Sequence, residues 1–167
     1  MKGKPKVQPF RRKKEGKTDY RLRLKLISSR KPRLVIRRTN QHITLQVVEF
    51  HPDGDKILAA ASTSELKKYG WTTATKNVPA AYLAGLLCGM KAKKAGITNA
   101  IADLGLNKTQ KGGVLYSALK GAVDGGITVP YGEGIEPTED RLKGKHISEN
   151  IESQFEKTKN NILKEKK

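Results

Sequence analysis

The sequence predicts a mixed α/β (α+β) domain carrying a basic N-terminal arm. Three observations predict it. Between residues 33 and 63, three consecutive segments alternate apolar and polar side chains, the period-two pattern of half-buried strands. Residues 78–90 (VPAAYLAGLLCGM) are apolar on every side apart from the Tyr82 hydroxyl, the pattern of a central buried helix. The first 38 residues hold 16 Lys and Arg against Glu15 and Asp19, a net +14 of the chain's +18, while the other 129 hold 18 against 14 acids. The expected architecture is an antiparallel three-strand meander, extended by a parallel strand through a crossover helix, with helices packed on the sheet.

Residues 1–17 contain two prolines, two glycines and almost no apolar side chains. They cannot bury enough surface to offset their conformational entropy, so an arm disordered in isolation is expected. A globular domain over 18–147 and a polar helical tail over 148–167 follow. Thr18 or Asp19 can cap a first helix with Tyr20, Leu24 and Ile27 at i, i+4, i+7, widened by Leu22 and Leu26. Pro32 ends it. Arg33–Thr39 reads as a strand, Asn40-Gln41 as a turn, His42–Phe50 as the second strand, Asp53-Gly54 as a hairpin turn and Lys56–Thr63 as the third strand.

Ser64 is placed to cap a short helix that runs through Tyr69 and closes at Gly70. Asn77 then caps the apolar helix, with Pro79 in the first turn where a missing N–H does no harm. Ala81, Gly85 and Gly89 form a small-residue stripe at spacing four, which predicts close packing on a sheet. Ile97–Leu104 reads as a strand parallel to its neighbour. A basic loop follows at 106–113, then a helix over Val114–Asp124 with Leu115, Leu119 and Ala122/Val123 inward. Ile127–Val129 is a short strand, 130–141 a long irregular connection, and 148–165 a polar helix with Ile151, Phe155 and Ile162 evenly placed.

The totals exclude several function classes. Hydrophobic content of 36% is low, but the shortfall lies at the two ends. A single cysteine, Cys88, allows no internal disulfide and suggests a reducing compartment. The basic N-terminus is followed by no apolar stretch, and no run approaches the ~20 residues needed to span a bilayer. A cytosolic protein with no membrane partner is expected.

A dense basic arm repels itself unless a polyanion neutralises it, which makes RNA or DNA the leading partner. Phe10 and Tyr20 flank the RRKK run 11–14, and aromatics beside guanidinium groups suit stacking on unpaired bases. Gly16 lets the backbone approach a phosphate. The plain alternative is a solvated tail. A second surface is the hairpin tip, where Arg37, Arg38, Thr39, Asn40, Gln41 and His42 place six hydrogen-bonding side chains around one turn. A third is Lys108–Tyr116: Lys108, Thr109 and Lys111 precede Gly112-Gly113 and a helix, whose N-terminus presents free N–H groups to phosphate. It is not a nucleotide P-loop, because GxxxxGK[ST] is absent.

Signals for catalysis and metal are poor. His42, His51 and His146 are scattered, and neither HExxH nor CxxC occurs. No cofactor or small-molecule substrate is implied. Asp103, Asp124 and Glu139 are the acids a metal-dependent nuclease would use, although Asp103 is better read as a cap or ion-pair partner. Trp71 is better read as core than as a stacking platform. A generic DNA-packaging protein is the other rival, weakened by the lack of repeated basic helices or dimer heptads.

Several strings together resemble one family. They are RRKKEGKTDYRLRLKLISSRKPRLVIRRTNQHITLQVV (11–48), ASTSELKKYGW (61–71), NVPAAYLAGLLCGMKAKKAGI (77–97), GGVLYSALKGAVDGGI (112–127) and PTEDRLKGKHI (137–147). They resemble large-subunit ribosomal protein 18 of the archaeal type, whose eukaryotic relative is large-subunit protein 5, over roughly residues 10–147. The resemblance implies a structural, non-enzymatic protein that binds 5S rRNA in the central protuberance. It also implies contact with 23S rRNA and with the neighbouring 5S-binding large-subunit ribosomal protein 5. Carried over by motif, the RNA-binding residues are Arg11, Arg12, Lys13, Lys14, Gly16, Lys17, Thr18, Tyr20, Arg21 and Arg23. The hairpin matches at Arg37–His42, and the loop-to-helix segment at Lys111–Tyr116, which brings in Gly112, Gly113 and Tyr116. The segment 101–113 departs from the family pattern, and the tail from Ser148 matches it poorly.

Overall fold

The computed structural model describes residues 7–164. Its sheet has four strands in the order β3-β2-β1-β4, where β1 is Arg33–Arg38, β2 Ile43–Glu49, β3 Lys56–Ser62 and β4 Ile101–Asp103. The meander β1-β2-β3 is antiparallel and β4 joins β1 in parallel, with Arg33 opposite Ile101 and Val35 opposite Asp103. The mixed α/β class and the crossover topology therefore stand as the alternating pattern predicted. Leu34, Ile36, Ile43, Leu45, Val47, Ala59 and Ala61 all point to one buried face. A register shift between Val47 and Val48 lets Val48 pair with Ile57, as a bulge does when it adds twist near a strand end.

The described residues form six α-helices: α1 Arg11–Lys14, α2 Tyr20–Ser28, α3 Val78–Lys94, α4 Val114–Asp124, α5 Glu139–Lys143 and α6 Glu149–Lys164. A 3-10 helix, Thr63–Tyr69, follows β3; its N-cap is Ser62, in a reciprocal capping box with Glu65, rather than Ser64. Asn77 caps α3 by accepting from the Ala80 N–H at 2.9 Å. Every residue of 78–90 is buried, because α3 lies between the sheet and α4. Cys88 sits inside it, and burial pushes its thiol pKa up to about 12, so the thiol is chemically inert in the folded chain.

The small-residue stripe packs on α4, not on the sheet. A Cβ added at Gly85 would stand 2.1 Å from the Ala118 carbonyl oxygen, and one at Gly121 would stand 2.1 Å from the Tyr82 carbonyl oxygen. Gly89 and Gly125 face each other in the same crossing. The reason is geometric. The sheet presents a surface of Leu, Ile and Val side chains that holds a helix backbone away. Another helix with matching glycines allows backbone-to-backbone contact.

Other expectations change at the segment ends. Ile97–Leu104 serves two partners: Thr98–Ala100 bond Thr128, and only Ile101–Asp103 joins the sheet. Ile127–Val129 is therefore a single bridge, since Pro130 has no N–H to extend it. The connection 130–141 is not wholly irregular: α5 begins at Glu139, after Pro137 and Thr138, and stops at Gly144 in the left-handed region, φ 80°. Helix α6 buries Ile151, Phe155, Thr158 and Ile162 against α3, α5 and the 3-10 helix, and Phe155 lies 5.6 Å from the Tyr82 ring.

Gly85→Ala and Gly121→Ala are expected to lower stability by about 1–3 kcal/mol, the usual range for overpacking. An unobstructed helix glycine changed to Ala would instead gain ~1 kcal/mol. Thermal unfolding followed by alkylation of Cys88 checks this; an unchanged or raised midpoint contradicts the crossing.

Candidate nucleic-acid interface

The interface is organised around a buried charge network. Arg33 is 3% exposed and donates to Asp103 at 2.8 Å and to Asp55 at 2.6 Å. Arg23 of α2 reaches the same Asp55 oxygen at 2.9 Å. Arg37 donates to the Asp103 carboxylate at 2.9 Å and to its carbonyl at 2.8 Å. Gly105, with φ 58°, lies so close to the Arg37 guanidinium that a Cβ would come within 2.9 Å of it. Two carboxylates thus join α2, β1, β4 and the β2–β3 turn.

This network turns α2. The face toward the domain is Asp19, Leu22, Arg23 and Leu26, at i, i+3, i+4, i+7. Asp19, not Thr18, caps the helix, accepting from the N–H groups of Arg21 and Leu22. The expected apolar face holds only in part: Leu26, which widens it, is the buried side chain, Tyr20 and Ile27 are half-buried, and Leu24 is 67% exposed. The Arg23–Asp55 ion pair outweighs a purely apolar reading of the helix.

The arm has more local structure than its composition suggests. Arg11–Lys14 form one helical turn that buries nothing. Glu15 accepts from Arg11 at 3.1 Å and Lys17 at 2.8 Å, and the Arg12 guanidinium donates to the Thr18 hydroxyl at 3.0 Å. Phe10 and Tyr20 do not stand apart as two stacking platforms: their rings meet at 5.0 Å. Gly16 has φ 65°, the left-handed turn that only glycine adopts freely. Lys13, Lys14 and Arg21 are exposed and make no ion pair among the described residues. Residues 1–6 lie outside the described residues.

The hairpin tip divides into shaping and presenting groups. The Thr39 hydroxyl accepts from the His42 N–H and donates to the His42 carbonyl, both at 2.9 Å. The Thr75 hydroxyl donates to the Gln41 carbonyl at 2.7 Å and lies 3.2 Å from His42 Nδ1. Thr39, His42 and Thr75 therefore hold the turn, Arg37 ties its strand to β4, and Arg38, Asn40 and Gln41 present exposed side chains. Thr75 carries no local signal in the sequence; only folding brings the segment before α3 under the hairpin.

The Lys108–Tyr116 segment is also partly occupied. The N–H groups of Gly112 and Gly113 bond Ile135 and Gln110 carbonyls at 2.9 and 3.0 Å, so they are not free for phosphate. Gly113 caps α4 without a side chain. Lys108 and Lys111 are exposed, and Tyr116 is half-buried. The loop across from Gly112 is fixed by Glu136, which accepts from Lys120 at 2.7 Å and from the Tyr131 hydroxyl. The Lys120 bond, then Tyr131, lowers the Glu136 pKa, and burial with the Glu136 contact pushes Tyr131 up to about 12.

The fold brings Arg12, Lys17, Arg23 and Arg37 to one cleft, closed on its far side by Gly105 and Leu106. Leu106 also borders Lys13, Gly16, Tyr20 and Arg21. Arm, first helix, strand end and the start of the basic loop are thus one continuous face. The three nuclease acids do not converge: Asp124 and Glu139 border one cleft beside Tyr82 and Lys120, while Asp103 lies in another. Asp103 is committed to two arginines, Asp124 accepts from Tyr82 at 2.7 Å, and no metal-holding group of three His, Cys, Asp or Glu occurs among the described residues. Trp71 is core, 1% exposed, donating to the Ala74 carbonyl.

A family model described as "Ribosomal large subunit proteins 60S L5, and 50S L18" matches residues 6–99. The Large ribosomal subunit protein uL18 of Methanoregula boonei is 58% identical over 139 residues, covering 83% of this chain and 80% of that protein. The chain belongs to the uL18 family. The uL18 proteins of Korarchaeum cryptofilum and Methanothermobacter thermautotrophicus are 54% and 47% identical, covering 87% and 86% of this chain and 74% and 75% of theirs. The uL18 family consists of structural ribosomal proteins, not enzymes. The matched span takes in the arm from residue 6, the hairpin, α3 and the arginines that hold Asp103.

Asp103→Ala is expected to destabilise the domain by about 3–5 kcal/mol, because it leaves Arg33 charged and buried with half its partners. Urea unfolding measures it; a loss below ~1 kcal/mol would show that the network does not organise the interface.

Proposed function

We propose that this chain is a structural component of the large ribosomal subunit that binds 5S rRNA. It helps attach that RNA to 23S rRNA in the central protuberance, beside large-subunit ribosomal protein 5, in the cytoplasm. The observation that supports the reading best is the continuous basic face formed by the arm, α2, the end of β1 and the loop after β4. The folded domain supplies rigid position, and the arm supplies charge.

The contact groups are those the fold leaves exposed: Lys13, Lys14, Arg21, Arg38, Asn40, Gln41, Lys108 and Lys111. Arg23, Arg37, Thr39 and His42 act as positioning residues. Arg11, Arg12 and Lys17 exchange their local partners for phosphate. In α1 nothing is buried and the ion pairs are solvent-exposed, and such pairs contribute little. The arm therefore orders fully only on RNA, where a base can replace Phe10 on the Tyr20 ring.

Deleting residues 1–17 should weaken 5S rRNA binding strongly in a gel-shift titration while the unfolding midpoint stays unchanged. If about eight phosphates are neutralised, log K falls against log salt with a slope of roughly −6 to −7. A wild-type slope near −2, or equal affinity of the deletion, removes the arm as the main binding element. Hydrogen exchange should show amides 11–17 unprotected in the free chain and protected on RNA; protection without RNA contradicts RNA-coupled ordering.

A further inference from the structure

Helix α2 ends in an unusual way. Arg30 follows its last turn with φ 54°, the one non-glycine residue in the left-handed region among the described residues. Its N–H bonds the Ile27 carbonyl at 2.9 Å. Glycine is the usual residue at such a position, because an L side chain there is strained. Strain kept where glycine would relieve it is a reason to look for a use of the side chain.

Arg30 borders a cleft of ≈ 420 Å³ between the ends of α2 and β2, lined also by Ile27, Lys31, Pro32, Arg33, Glu49 and Phe50. Phe50 is 48% exposed, and Ile57, which pairs with Val48 one step inside Phe50, is 53% exposed. Arg30 and Lys31 are exposed and without an ion pair among the described residues, against one acid, Glu49. Arg33 lines the same cleft, is 3% exposed, and its Nε–H lacks an acceptor there. A half-exposed aromatic ring beside two available cations and an unsatisfied buried donor matches the chemistry of a nucleotide: a base to stack and a phosphate to neutralise.

The geometry points to a second RNA subsite, separate from the arm face, in which an unstacked base lies on Phe50 while its phosphate meets Arg30 and Lys31. This rests on the reading that the chain binds rRNA, and adds a single-stranded nucleotide as the class of ligand. Arg30 holds its strained conformation because the side chain is needed over the cleft.

The full chain is titrated with 5S rRNA and, separately, with large-subunit rRNA. The variants are Phe50→Ala, Phe50→Tyr and Arg30→Gly, and ultraviolet crosslinked peptides are mapped. Phe50→Ala should weaken binding about 5- to 160-fold, the range for loss of one base stack, while Phe50→Tyr retains it. Arg30→Gly should weaken binding and reduce the salt slope by about 1, yet raise the unfolding midpoint by relieving the strain. Crosslinks should fall on the Phe50 peptide. Unchanged affinity of both Phe50→Ala and Arg30→Gly, or crosslinks that avoid that peptide, overturns the subsite and leaves the cleft to a protein neighbour. Binding to large-subunit rRNA but not to 5S rRNA would sink the 5S reading alone, and the subsite would then stand or fall on the adducts with the RNA that binds. Binding to neither RNA would end both.

Discussion

Asp103 is the residue on which the arrangement depends. It accepts from Arg33 inside the domain and from Arg37 at its edge, with its second oxygen also held by the Gly105 N–H. Burying charges is favourable only when each is closely paired and hydrogen-bonded, and here the pairing ties the parallel strand β4 to β1. Through Asp55 the same arginine reaches α2 by way of Arg23. A protein whose surface must be positive faces a conflict, since like charges push its elements apart. Two carboxylates, one buried and one half-buried, resolve it by converting three arginines into attachments and leaving the others to face outward.

The glycine crossing of α3 and α4 supplies the rigid base. Gly85, Gly89, Gly121 and Gly125 let two helix backbones touch, and α3 becomes the centre of the core. With the interior fixed in this way, the hairpin tip and the loop after β4 need few supports. Thr75 under Gln41 and Glu136 beside Gly112 provide them. Chain order then explains the division of labour. The arm comes first, α2 attaches it, and the sheet that follows supplies the anchor points.

What could be read from the sequence follows the range of the forces involved. Strand alternation, the Asn77 cap and the all-apolar helix are local patterns, and they place β1–β3, α3 and α4 within a residue or two. The face of α2 could be read only in part, because an ion pair to Asp55, 32 residues away, helps to set it. The glycine stripe was visible, but its partner was not, since nothing local to Ala81–Gly89 indicates Gly121. Start and stop signals for α5 were present in PTEDRLKG, yet the short run was hidden inside a connection rich in Gly and Pro. Among the site residues, the charge run marks the basic side chains of the arm and first helix. It could not separate Arg37 and Arg23, which hold the structure, from Lys13, Lys14 and Arg38, which remain exposed. That distinction depends entirely on where the two aspartates lie.

One continuous face of arm, α2, hairpin and the loop after β4, rather than the basic surface as a whole, is expected to carry the main RNA contact. Lysine acetylation read by mass spectrometry, with and without bound 5S rRNA, tests it most directly. Protection is expected at Lys13, Lys14, Lys17, Lys108 and Lys111, with Lys67, Lys68 and Lys157 labelled equally in both states. Protection spread evenly over both groups would contradict it and would describe a protein that binds RNA through net charge alone.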